Sequence, residues 1–160
     1  MPHNPISRVV YSMLSGNGNL STAVGGRIYP EARAQGSAGT SIGDLPSIVF
    51  SINEDDAINA LSGSTHFYAA TVEVMVLAST AKTAAEVALL VLTPLHNRKN
   101  VSVAGGGSGQ SPDTTLVCSS MYQRALTGYL SPQNGENTGV FTHSMLFKMM
   151  YRDASATQEA

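Results

Sequence analysis

The chain has 160 residues, enough for one ordinary domain that removes roughly 70% of its unfolded surface from water without a metal or disulfide staple. Nine Lys and Arg against eleven Asp and Glu give a formal charge of -2, which excludes a broad basic footprint for gripping a nucleic-acid backbone. Only 12% of the residues are charged against 42% apolar, so like copies repel weakly and self-association is expected, while the single Cys118 excludes an internal disulfide.

The amino end, MPHNPISRVVYSML, lacks the basic start and long apolar core of a signal peptide, and the run from Val87 to Leu92 is too short to span a bilayer. A soluble protein made in the cytoplasm, with no membrane partner, is expected. Ile6, Val9, Val10, Met13 and Leu14 recur at three- and four-residue intervals, which predicts a short helix starting near Pro5 and ending at Gly16. The following GNGNLSTAVGG is turn-rich, with Leu20, Ala23 and Val24 able to make one helical turn. Arg27-Ile28-Tyr29-Pro30 reads as a short extended or turn element, because the residue before proline is pushed out of the helical region. Residues 32–44 have no period and read as a long loop.

Residues 45–52 predict a strand through Ile48, Val49 and Phe50, and residues 53–64, acidic and then rich in Gly and Ser, predict a connection. Residues 66–78 give the clearest long strand, with Val72, Val74 and Val76 on one side and Thr71, Glu73, Met75 and Leu77 on the other. Ser79 or Thr80 then caps an Ala-rich helix whose face is formed by Ala81, Ala84, Ala85, Ala88, Leu92 and Leu95. Val87, Leu89, Leu90 and Val91 widen that stripe, so this helix is expected to be buried on more than one side.

Residues 100–112, containing GGGSG, predict a mobile excursion or a wide hairpin connection. Residues 114–124 alternate Leu116, Cys118, Ser120 and Tyr122 against Val117, Ser119 and Met121, which predicts a strand. After a connection punctuated by Pro132, Asn134 and Gly135, residues 140–151 predict the closing strand. There Phe141, His143, Met145, Phe147, Met149 and Tyr151 face one way; Thr142, Ser144, Leu146, Lys148 and Met150 face the other. With Val140, Leu146 and Met150 on its second face as well, this strand is apolar on both sides and is expected to be covered twice, by its own domain and by a neighbour. Glu73 and Lys148 are candidates for a cross-sheet or intersubunit ion pair.

These elements predict an α+β fold: a single mixed, mainly antiparallel sheet covered by a central Ala-rich helix, with a short N-terminal helix and long loops. The domain is expected over residues 1–152, with 153–160 as a flexible tail.

No catalytic, cofactor-binding or metal-binding residue is assigned. His3, His66, His96 and His143 are scattered and share no zinc-ligand spacing. Cys118 within a strand pattern reads as a buried small hydrophobe. Glu54, Asp55 and Asp56 are adjacent, whereas glycoside chemistry needs carboxyls on opposite sides of a substrate, so they read as a solvated turn. GGGSG lacks the Gly-Lys-Ser/Thr ending of a phosphate loop, and no G-x-S-x-G is present. An enzyme would need His143 or His96 brought to Cys118 or to the Glu54, Asp55 and Asp56 carboxylates.

The succession R-I-Y-P (residues 27–30), A-Q-G (34–36), L-P-S-I-V-F-S-I (45–52) and V-E-V-M-V-L-A-S-T (72–80), followed by the Ala-rich helix, resembles the tail completion or tail terminator proteins of long-tailed bacteriophages. The resemblance covers about residues 6–152. It departs from the family at residues 37–45, where the stretch before the strand is longer, and at GGGSG and residues 132–139. It implies a ring, commonly of six subunits, at the head-proximal end of a completed tail tube. Such a ring stops tube polymerisation and presents a surface to the head connector, while DNA slides through its channel without specific binding. Residues 32–44 and 101–109 would be arms for these contacts. The alternatives are a head–tail joining protein of the neck and, more remotely, a small hydrolase-like enzyme.

Overall fold

In the computed structural model the stripe Ile6, Val9, Val10, Met13 and Leu14 is the buried face of α1 (Ile6–Ser15). The structure describes residues 6–30, 45–60, 63–103, 115–130 and 139–153, with residues 54–60, 63–66, 115, 130 and 153 described by backbone alone. The segments 32–44 and 104–112, expected to be loops, and the tail 154–160 lie outside the described residues.

Gly16 donates its N–H to the Ser12 carbonyl, and a Cβ there would come within 2.9 Å of that oxygen, so glycine closes α1. The expected single turn is a seven-residue helix, α2 (Gly18–Val24), because both ends are capped. Asn17 accepts from Leu20 N at 3.0 Å, and Gly25 takes the left-handed conformation that ends a helix without a Cβ penalty.

Six strands form one sheet in the order β1-β2-β3-β6-β5-β4: β1 (Ile28–Pro30), β2 (Ser47–Ala60), β3 (Gly63–Ala78), β4 (Arg98–Val103), β5 (Thr115–Leu130) and β6 (Val140–Asp153). Only β1 pairs in parallel, with β2; the mixed, mainly antiparallel sheet is as expected. Helix α3 (Ala81–Leu95) follows β3 and lies chiefly over β6 and β3. Thr80 caps it, its hydroxyl accepting from Thr83 N at 3.1 Å.

Several expectations are corrected. Residues 53–60 are not a turn: β2 continues through them in a hairpin with β3, pairing Glu54 with Thr71, Asp55 with Ala70 and Asp56 with Ala69. The ladder joins backbone groups, so acidic side chains do not stop it. Residues 100–103, read as part of an excursion, belong to β4. β5 runs six residues beyond Arg124. Helix α3 buries one face only, Ala84, Val87, Ala88, Val91, Pro94 and Leu95, leaving Ala81 and Ala85 exposed and Leu89 67% exposed. The bulkier Val87 and Val91 bury more apolar area than Ala81 and Ala85, which turns the helix by about one position.

The strand faces follow from register. On the helix side Ile48, Phe50, Val72, Val74, Val76, Met145, Phe147, Met149 and Tyr151 form a core with α1, α2 and α3. Tyr151 stacks on Tyr68 at 5.3 Å, and Phe147 meets Tyr122 edge-on at 5.8 Å. In β5 the expected alternation fails. Its buried and half-buried inner residues are Val117, Ser120, Tyr122 and Ala125, because register shifts against β6 at Cys118 and Gln123 each insert one residue. Cys118 is consequently half-buried rather than buried, its thiol directed to the Leu116 carbonyl at 3.9 Å.

Candidate functional site

The residues an enzyme would need are not brought together. His143 pairs across from Thr127, whereas Cys118 lies beside the Tyr151 and Met150 positions, seven residues further along β6 and on the order of 20 Å away. His96 sits at the end of α3, where Nδ1 accepts the Tyr122 N–H at 3.3 Å. Glu54, Asp55 and Asp56 are on β2, two strands from the β6 that carries His143 and level with Lys148, Met149 and Met150 further along it. His3 and His66 lie outside the residues whose side chains are described. Among the described residues no group of three His, Cys, Asp or Glu could hold a metal ion. No helix among them is long and apolar enough to cross a membrane.

What the sheet presents instead are surfaces. On the helix side, α3 leaves the far ends of β5 and β6 uncovered, and a cleft of about 580 Å³ opens between Ala81, Ala85, Tyr129, Phe141 and His143. A smaller hollow of about 290 Å³ continues it between Leu89, Leu92, Tyr122 and Met145. Ala81 and Ala85, expected to be core, therefore line an open groove. Their small side chains keep it open.

Among the described residues the other side of the sheet carries no helix. The row Ser51, Glu73, Leu146, Arg124 crosses it from β2 to β5, with Glu73 and Arg124 on either side of Leu146. Leu126 is 67% exposed there and Met150 37%. Lys148 pairs with Thr71 rather than Glu73, and Glu73 and Lys148 form no ion pair among the described residues. The second face of β6 is thus half-covered within one chain, through Leu146, and open at Lys148 and Met150.

Both edges of the sheet are stepped. β1 covers β2 only at Ile48, Val49 and Phe50, so among the described residues nothing pairs with that edge over 51–60. β4 covers β5 only from Thr115 to Ser120, leaving residues 121–130 of that edge with no strand beside them among the described residues. β1 stands level with Ala125, Leu126 and Thr127 of β5, and β4 level with residues 55–58 of β2, so the two steps lie at opposite ends of the sheet. Neither step was legible beforehand, since both depend on strand order.

No protein-family model matches the chain, and no curated protein matches it. Among solved structures, a chain from the virion of a native gene transfer agent particle is similar with a TM-score of 0.57 and 15% identity, over 89% of this chain and 91% of that one. At that identity the likeness shows a shared fold.

Proposed function

We propose that the chain is a structural virion protein of the tail terminator type. It forms a ring, six subunits by the family resemblance, at the head-proximal end of a phage tail tube. There it stops tube polymerisation and offers the docking surface for the head connector. It is assembled in the host cytoplasm, makes and breaks no bond, and contacts tube protein on one ring face and connector on the other.

The observation that carries this reading is the likeness in fold, along nearly the full length of both chains, to a chain of a gene transfer agent virion. Two features support it. Exposed apolar residues are spread over different surfaces, Leu89 on α3, Tyr129 beside the groove and Leu126 on the helix-free face, as suits a subunit with several neighbours. The sheet face away from α3 sets Glu73 against Arg124 and Lys148 among Ser51, Thr71, Met75, Ser144 and Leu146, and such a mixed lining offers DNA no broad basic patch to hold it.

The test is electron microscopy of particles assembled without this gene product. A terminator predicts tails of abnormal length that fail to join heads. Tails of normal length left unjoined would instead favour a head–tail joining protein. Normal tails joined to heads would sink both readings.

A further inference from the structure

The two steps described above are complementary. Between β2 of one copy and β5 of a second, set level, the described residues leave one strand column to be filled. β1 of the first copy fills its part beside Ala125, Leu126 and Thr127, and β4 of the second fills its part beside residues 55–58. The two inserts do not overlap.

We propose that copies of this chain join head to tail through this shared column, with Arg98 and Lys99 of one copy seated beside Asp55 and Asp56 of the next. The proposal rests on the ring reading and names its joint.

Register supplies the charge match. The row through Arg98 runs Ser120, Met149, Ala70 and Asp55, and the row through Lys99 runs Ser119, Met150, Ala69 and Asp56. Two adjacent cations on one sheet edge are therefore level with two adjacent acids on the other. Arg98 and Lys99 are exposed and form no ion pair among the described residues. Isolated surface pairs add little, but here they select a register while the backbone edges supply the bonding.

Strand direction also agrees. β2 and β6 run one way and β3 and β5 the other, so the four long strands alternate and β5 of a second copy is antiparallel to β2 of the first. In the shared column β1 meets β5 antiparallel and β4 meets β2 parallel. The joint uses unlike edges, so its repetition is head to tail, and it closes a ring where the rotation between copies divides a full turn.

Light scattering in low salt, at several protein concentrations, tests the joint, with circular dichroism confirming that each variant folds. The wild-type chain is expected as a closed oligomer. Arg98→Glu/Lys99→Glu and Asp55→Lys/Asp56→Lys should each lose it and run as monomers. An equimolar mixture of the two variants should regain it, since each then meets opposite charge, and so should the chain carrying all four changes. Oligomers that survive both reversals at unchanged mass would overturn the joint and leave the ring reading standing, as would variants that neither mixing nor combination rescues. A wild-type chain that stays monomeric at every concentration and on tail tubes would overturn the ring reading and the joint together.

Discussion

His96 Nδ1 accepts the backbone N–H of Tyr122 at 3.3 Å, and its ring meets the Tyr122 ring edge-on at 6.1 Å. β4 ends its pairing at Arg98 and Ser120, so His96 occupies the next position where a strand would have taken the Tyr122 amide. A helix terminus thus finishes a sheet edge. His96→Ala should cost about 0.5–1.5 kcal/mol, the net value of one hydrogen bond. His96→Asn, whose side-chain oxygen can accept in the same place, should recover part of it. Urea unfolding gives the energies, and faster hydrogen exchange at the Tyr122 amide distinguishes loss of this bond from general loosening.

Ser120 is fully buried on the inner face of β5, and its hydroxyl has no hydrogen-bond partner among the described residues. The two β5 register shifts turn this residue inward opposite Met149. An unsatisfied buried hydroxyl costs about 1–3 kcal/mol, so Ser120→Ala should stabilise the domain, offset by the small loss of packing. Thermal and urea unfolding check it; a lower midpoint in the alanine variant would show that the hydroxyl is bonded.

Side-chain period was readable in α1 and β6, whereas in α3 the alanine stripe misplaced the buried face, since Ala81 and Ala85 lie exposed and Val87 and Val91 are buried. The α1 stripe was legible as written, and β6, expected to end at Tyr151, ends two residues later at Asp153. The inner face of β5 was not, because a bulge adds a residue without marking the sequence, and two of them at Cys118 and Gln123 move every later side chain. β4 was missed for a different reason. Arg98, Lys99, Asn100 and Ser102 are polar, as exposed edge strands tend to be, and such a strand has no apolar alternation to read. The charge rows from Arg98 to Asp55 and Lys99 to Asp56 required the strand order.

The bulged register of β5 can itself be tested at Gly128. With both shifts in place Gly128 pairs with Thr142, and a Cβ on Gly128 would lie 2.9 Å from the Thr142 hydroxyl oxygen. Without the shifts, Gly128 would oppose Val140. Gly128→Ala should therefore be better tolerated when Thr142 is also alanine, with a coupling of about 0.5–1 kcal/mol in a double-mutant cycle. Zero coupling to Thr142, or coupling to Val140 instead, would place the register elsewhere.

The two sides of β6 should differ in what they hold together. Phe147 is completely buried between α3 and the sheet and touches the Tyr122 ring, whereas Met150, on the helix-free side, keeps 37% of its surface. Phe147→Ala should cost about 3–5 kcal/mol, enough to unfold a marginal domain, while Met150→Ala should stay within about 0.5 kcal/mol in the isolated chain. If the helix-free side lies against other subunits or virion parts, Met150→Ala should become more damaging in assembled particles than in solution. Urea unfolding of the free chain, compared with recovery of joined heads and tails when the variant is supplied during assembly, separates the two roles. A Met150 variant that unfolds as readily as the Phe147 one would mean that this side is part of the domain's own core.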